Sequence, residues 1–504
     1  MKTSRLALAA ALAASCLAVA PAAPLPRDTP EAQGISARAI LAYVNAADAT
    51  VDAMNSFILV RHGRVVAEGW WTPYAPGEPH LMFSLSKSFT STAVGLAQSE
   101  GKLSIYDRVA DLFPAEMPEH PGPNLAALRL RDLLRMSSGQ LESDIRPFPF
   151  DSDASLVKYF LARPVTFKPG THFVYNTPGT YLLSAAVQKA TGETVHDYLM
   201  PRLFEPLGIE NPRWDGSAQG VSFGGFGLSL RTEDIARFGQ LLLQRGQWQG
   251  RQLVPSAWVD EATALQTSNG GDPAGNWDQG YGYQFWRCPH GVYRGDGAFG
   301  QLCVVMPQYD AVLAVTAGTR DIGHELNLVW EHLLPALKAG ALPADPAADA
   351  ELGRRLAALT LPTPAGVPSN VAPAVAGRKY VFDPNPLELD SITLGPAAAA
   401  GATRVTVRLH GLDQAFDCGS GSWIHGTLET KADVWGLGGK APIAASGAWT
   451  APDTYTALVC RYRTPITTAY HLTFTGDQVD LVVQASADLD GAPPAVRLAG
   501  HAAL

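Results

Sequence analysis

Ser84 and Lys87 stand three residues apart in the run Ser84-Leu85-Ser86-Lys87, a spacing that puts both side chains on one face of a helix. A serine hydroxyl is a weak nucleophile at neutral pH and needs a neighbouring base. A lysine amine can be that base once burial lowers its pKa. The flanking Met82-Phe83 and Phe89-Thr90-Ser91 are apolar or small, which favours a buried amine over a solvated one. A serine in a first helical turn also aims its own N–H at bound substrate, where it can hold a developing oxyanion. The bland alternative for so short a pattern is a helix-capping serine followed by a surface lysine.

The surrounding pattern supplies elements able to hold such a pair. Ser56–Val60 and Val65–Gly69, separated by Arg61-His62-Gly63-Arg64, alternate as strand, turn and strand. Ser84 to Gly101 has helical length and an apolar face. Further helices are expected at Leu130–Met136, at Thr180–Thr191 before Gly192, and from Thr232, capped by its own hydroxyl with Asp234 in the first turn. Strands are expected near Tyr281–Arg287, Gln301–Met306 and Ala311–Ala317. Strands at both ends of a region with helices between them predict an α+β fold: one antiparallel sheet, its first and last strands paired, against a helical lobe.

Several ordered segments then carry a resemblance. Met82–Ser91, Gly101-Lys102-Leu103-Ser104 with Asp107-Arg108-Val109, Arg131–Gly139, Lys168–Thr177 and Gly225–Ser229 together resemble the serine β-lactamase-related family. That family includes class C β-lactamases, D-Ala-D-Ala peptidases, carboxylesterases and nylon-oligomer hydrolases. The resemblance runs from about Gln33 to Leu337 and implies a β-lactamase/transpeptidase-like fold. It implies Ser84 as nucleophile, Lys87 as base, and Tyr175 as the tyrosine that shares a proton with the lysine and passes it to the leaving group. The phenol is expected to have its pKa lowered by the Lys87 ammonium.

Two positions depart from the family pattern. Tyr175-Asn176-Thr177 has Thr where Asn is usual, which leaves Thr177 one hydroxyl with which to meet substrate. The last motif falls at Tyr293-Arg294-Gly295, with Gly295 as second oxyanion donor, or two places on at Gly295-Asp296-Gly297. Arg294 is the candidate cation for a substrate carboxylate. The run Gly295–Gln301 is more like the nylon-oligomer hydrolase and esterase branch than true β-lactamases. His80 and the walls Trp70, Trp71 and Trp286 are weaker candidates for lining a cleft, with core packing as their ordinary role.

The expected activity is therefore cleavage of a carboxylic ester or small amide through an acyl-enzyme, with no cofactor and no metal. A D-amino-acid peptidase or β-lactamase acting on cell-wall-like substrates is the second reading. A binding protein that has lost catalysis is the third.

Composition bounds the rest. The 504 residues exceed one ordinary core, and a net charge of −9 without clustered Lys and Arg argues against nucleic acid or an anionic membrane as partner. Residues 1–23 have the layout of a secretory signal, basic at Lys2 and Arg5, then apolar, then small. Export to the periplasm or medium is expected, with lipid attachment at Cys16 the lesser alternative and no stable membrane span. Residues 28–341 form the expected hydrolase domain, 342–374 an Ala/Pro-rich linker, and 375–504 a β-rich domain of no legible function. In an exported chain, Cys288–Cys303 and Cys418–Cys460 are the disulfides proximity suggests. The oligomeric state is left open.

Overall fold

The computed structural model describes residues 24–141, 153–431, 439–488 and 495–503. The candidate signal segment, with Cys16, lies outside them. Its central element is a six-stranded antiparallel sheet in the order Arg64–Trp70, Met54–Arg61, Ala311–Ala317, Gln301–Met306, Tyr293–Gly297, Trp286–Arg287. The first long strand pairs with the last, Phe57 opposite Val315 and Leu59 opposite Leu313. Every residue of Met54–Arg61 is buried, because both faces of the sheet are covered and successive side chains feed opposite layers. Ile58 and Val60 enter the core shared with the helical lobe. Phe57 and Leu59 enter the core under the Ala37–Thr50 helix.

The Ser86–Ser99 helix runs through the first of these cores, with every residue from Ser86 to Ala97 buried. Phe89 stacks on Phe238 at 3.9 Å between ring centroids. Gly95 lies where a Cβ would strike the Trp258 ring at 2.4 Å, so this helix packs at a distance only glycine permits. The helix at Thr232–Leu243 forms as expected, but its cap differs. Asp234 accepts from the Arg231 N–H and from the Arg231 guanidinium, while the Thr232 hydroxyl bonds Ser56 Oγ at 2.7 Å.

The Ala/Pro-rich stretch is docked along the sheet-and-helix domain. Asp345 caps a helix at Pro346–Ala357, and Leu352 and Leu359 bury in the second core. Arg38 pairs with Asp345 at 2.9 Å, Arg355 pairs with Asp48, and Leu361 N–H donates to the Thr72 carbonyl at 2.8 Å.

After it, ten antiparallel strands between Lys379 and Ala502 curl into a near-barrel. The two outermost strands, Leu412–Cys418 and Ile424–Thr430, approach each other. The Gln414 side chain both donates to the Glu429 carbonyl and accepts from its N–H. Full closure would remove both sheet edges; here a side chain substitutes for part of the ladder.

The suggested disulfides are absent. Cys288, Cys303, Cys418 and Cys460 are all free, buried thiols. The physical reason is that each is packed separately: Cys288 Sγ accepts from Arg294 at 2.9 Å, Cys303 Sγ faces the Ile235 carbonyl at 3.7 Å, and Cys460 Sγ lies 3.6 Å from the Tyr74 hydroxyl. No helix of the described residues is long and apolar enough to cross a membrane.

Candidate active site

Ser84 lies in a single 3-10 turn, Phe83–Leu85, that feeds directly into the Ser86–Ser99 helix. Lys87 is one turn further on and 1 % exposed. Its Nζ donates to Ser84 Oγ at 2.9 Å and to the Gly225 carbonyl at 2.8 Å. Burial lowers the amine to about 7, opposed by the attraction of Asp296. A neutral amine touching a serine hydroxyl is the arrangement that deprotonates it.

Gly225 holds the lysine for a steric reason. A Cβ there would stand 2.7 Å from Thr177 Cγ2 and 3.6 Å from Lys87 Nζ. Thr177, half-buried at the start of the Thr177–Thr191 helix, thus occupies the space a side chain at Gly225 would need. Neighbouring Gly224, at φ 67°, accepts from Thr90 Oγ1 through its own carbonyl.

Tyr175 is brought to the same place from a distant loop. Its ring centroid is 4.9 Å from Lys87 Nζ, and its phenol interacts with the Ser84 hydroxyl. The ring stacks on Trp286, centroids 5.5 Å apart and planes at 17°. Burial pushes the phenol well above its ordinary 10, more than the Ser84 contact lowers it. The expected lowering by the ammonium does not prevail, because enclosure of the phenol in the cleft disfavours its charged form more than its neighbours stabilise it. Burial thus disfavours charge on both groups, leaving the amine able to accept a proton near neutrality and the phenol able to donate one.

The loop bearing Tyr175 is fixed by the Leu133–Gln140 segment. Val174 N–H donates to the Met136 carbonyl at 2.9 Å, and Gly170 N–H to the Ser137 carbonyl at 2.7 Å. Asn176 caps the following helix through the Gly179 N–H and donates to Gln140 Oε1, both at 2.8 Å. Gln284 binds this support to the helix. It receives Ser88 Oγ on its carbonyl and Thr180 Oγ1 on Oε1, and its Nε2 donates to the Leu134 carbonyl.

The edge of the sheet completes the cleft. Cβ atoms built on Gly295 and Gly297 would fall 2.3 Å from Leu85 and 2.2 Å from the Met82 carbonyl, so glycine lets the Tyr293–Gly297 strand lie against the serine turn. Gly297 accepts from the Gly300 N–H across its hairpin at 3.2 Å. Strand residues alternate in the side to which their N–H and C=O point, so Gly295, opposite Cys303, points into the ladder as well. Ala298 follows in the turn that joins the two strands, outside the paired ladder. Among the described residues neither the Ser84 nor the Ala298 N–H meets an acceptor. The candidate second donor is thereby Ala298, and Gly295 serves close approach. The register two places on ends its motif at Gly297, one residue before this candidate donor.

Arg294 does not face the cleft. It is fully buried, with Nε on Asp296 at 2.8 Å and Nη1 on the Asn276 carbonyl at 2.8 Å and on Cys288, and it lies 4.8 Å from the Trp277 ring centroid. Strand alternation puts its side chain beneath the sheet edge, where it compensates a carboxylate, so it is no substrate anchor. Asp296 is raised by burial and lowered by Arg294. Glu325, whose burial drives its pKa far upward, sits beside them. His80 is buried against Asn55 and the Leu81 carbonyl and is lowered by burial to about 4. Trp71 is buried on Asp48, far from any open wall, and Trp70 packs between the two cores. Of the tryptophans considered, Trp286 alone reaches the site, with Phe173, Tyr175 and Tyr281 around it.

The β-lactamase family model matches residues 47–331, more than half of the chain and the whole of this site. The chain belongs to the β-lactamase family. Within this hydrolase family it is 26% identical over 295 residues to the 6-aminohexanoate-dimer hydrolase of Paenarthrobacter ureafaciens, covering 53% of this chain and 73% of the relative. It is 24% identical over 173 residues to the lovastatin esterase of Penicillium rubens, covering 30% of this chain and 43% of the relative. A solved β-lactamase-like structure from Bacteroides dorei superposes with a TM-score of 0.50 at 17% identity, over 58% of this chain and 98% of that one. The β-lactamase-family fold is thus shared, and the family hydrolase's sheet and helical lobe are those described above.

Proposed function

We propose that the protein is an exported serine hydrolase that cleaves carboxylic esters or small amides through an acyl-enzyme on Ser84. The observation that carries the reading is the 2.9 Å contact between Ser84 Oγ and a Lys87 amine near neutral pKa. Lys87 takes the hydroxyl proton as Ser84 Oγ attacks the carbonyl carbon. The tetrahedral oxyanion is held by the N–H groups of Ser84 and Ala298. Collapse breaks the bond to the leaving group, which takes a proton from Tyr175; the phenol recovers it from the Lys87 ammonium. Water then attacks the acyl carbon and gives a proton to Lys87; collapse breaks the bond to Ser84 Oγ, which takes that proton back from Lys87 as the acid leaves.

The preference for esters and small amides over β-lactams rests on charge. A penicillin carboxylate wants a fixed cation, and Arg294 is consumed by Asp296. The relatives named for ester and amide hydrolysis favour the same class. Export rests on the layout of residues 1–23.

The deciding experiment compares p-nitrophenyl esters, a linear amide dimer and a chromogenic cephalosporin on purified protein, with mass detection of the acylated peptide containing Ser84. Ester turnover with an adduct on Ser84, lost in Ser84→Ala, is expected. Cephalosporin turnover without ester turnover would transfer the reading to the cell-wall branch. A fluorophosphonate that fails to label wild type would indicate a protein without catalysis.

A further inference from the structure

The C-terminal near-barrel encloses a cavity of about 540 Å³, within the ~300–1,000 Å³ typical of small-molecule sites. Its walls are aliphatic, with Ile392, Val405, Val407, Leu472 and Val483 pointing inward from four strands. Ala457 and Ala485 also line it, where larger side chains would close the space. Protein interiors rarely leave voids much larger than a water molecule, so an apolar space of this size points to an occupant.

The two ends of the cavity differ. Beyond the lining at one end, the core of the near-barrel is filled by an aromatic cluster, Tyr380 on Phe474 at 5.1 Å and Trp449 on Tyr455 at 5.5 Å. The other carries a polar rim of Glu388, His410, Lys431, Arg461 and Asp488. Glu388 accepts from Lys431 at 2.9 Å and pairs with His410 at 3.2 Å. The rim therefore offers both signs of charge and several hydrogen-bonding groups above an apolar shaft.

That rim also touches the hydrolase domain. Arg461, Thr468, Ala485 and Asp488 line the mouth, and residues between them face the other way. The Arg463 carbonyl accepts from Leu81 N–H at 2.9 Å, and its guanidinium pairs with Glu78 at 2.7 Å. Ile466 and Ala487 pack with Leu81, Phe83 and Phe299 beside Ser84. The cavity thus opens at the end of the near-barrel that abuts the serine turn.

We propose that this cavity binds a single-tailed amphiphile: one alkyl chain of fatty-acid length in the shaft, its compact polar head at the rim. The assignment goes beyond hydrolysis at Ser84 and does not depend on it.

The test uses the full-length protein, wild type and Ser84→Ala, titrated with the fluorescent fatty acid cis-parinaric acid and displaced by palmitate. Saturable one-to-one binding, equal in both proteins, is expected. Ala457→Phe fills the shaft and Ala485→Phe narrows its mouth, and each weakens binding about tenfold or more, with ester turnover kept. Absence of saturable binding overturns the proposal, as does unchanged affinity in both folded variants. Should the variants unfold, a diazirine-bearing fatty acid on wild type decides. Crosslinks on the Thr403–Leu409, Thr467–Thr475 and Gln478–Ala485 strands support the site, and crosslinks confined to the Ser84 cleft refute it.

Discussion

The rings of Phe83 and Phe299 meet edge to face with centroids 5.3 Å apart, and both residues hold left-handed backbone, at φ 46° and 66°. Such φ values are costly for bulky side chains, on the order of 1–2 kcal/mol each. One of the pair precedes Ser84 and the other follows Ala298, so the strain sits beside both candidate oxyanion donors. Mutual packing, together with Leu81 and Ala487, offsets it and fixes where the two N–H groups point. Phe299→Ala is expected to lower stability by roughly 3–5 kcal/mol, the usual cost of emptying a buried aromatic site. Its kcat should fall while KM changes little, because donors that meet the oxyanion act mainly in the transition state. Denaturant unfolding and steady-state ester kinetics measure the two effects. A variant that loses stability but keeps kcat would remove Phe299 from the orientation of the site.

Lys87 sets the pH dependence. With the amine near 7, the fraction able to accept the Ser84 proton grows through neutrality. Single-turnover acylation should rise with pH across that value and level off above it. The linkage to stability has a definite sign. The unfolded lysine titrates near 10.4, so between the two values the unfolded chain binds more protons, and stability rises with pH there. Lys87→Met removes the buried amine; the variant should be inactive yet more resistant to denaturant than wild type at pH 7. A destabilised Lys87→Met protein would show that the amine's contacts outweigh its burial.

Tyr175 stays a protonated phenol throughout the neutral range, since burial raises it. Its service in the proposed cycle is donation to the leaving group. Tyr175→Phe keeps the ring that stacks on Trp286, so folding should be retained. Loss of general-acid help costs typically ~10²–10⁴ in rate. The loss should be large for amides and alkyl esters and small for p-nitrophenyl esters, whose leaving group departs without a proton. An equal loss across all three would assign the phenol a positioning role instead.

How far the sequence foretold this molecule differs between its layers. The strands Met54–Arg61, Gln301–Met306 and Ala311–Ala317, and the helix after Ser84, were legible because apolar runs and helical spacing report burial directly. Ser84 and Lys87 are legible because three residues along a helix already fixes their contact. The Gly225 carbonyl and the Ala298 N–H are backbone groups, and no side-chain pattern marks them. The sequence left the last motif open between Gly295 and Gly297, and the candidate donor Ala298 falls in the turn just after both, a place set by the hairpin and not by a side-chain pattern. The direction of the Tyr175 pKa depends on how much of the ring is enclosed, a property of the whole cleft. The disulfide pairing rested on sequence proximity, which does not report where buried thiols point. The cysteines give a direct check: Cys288, Cys303, Cys418 and Cys460 should react with a thiol reagent only after unfolding, and a reductant should leave the melting temperature unchanged.

Arg294 tests whether the cleft holds a fixed cation for substrate. Its guanidinium is fully buried and bonded to Asp296, with Glu325 close by. Removing one partner of a buried pair leaves the other charge uncompensated and costs roughly 3–5 kcal/mol. Arg294→Met should therefore be strongly destabilised, with Asp296 driven further toward its neutral form. Replacing both groups, Arg294→Met with Asp296→Asn, removes the stranded charge and should recover much of the loss, a coupling that a double-mutant cycle in denaturant measures. A structural role makes a second demand on whatever folded Arg294→Met enzyme is obtained. KM should shift alike for neutral and carboxylate-bearing esters. A rise confined to the anionic ester would return Arg294 to the substrate, and with it the β-lactam branch of the family.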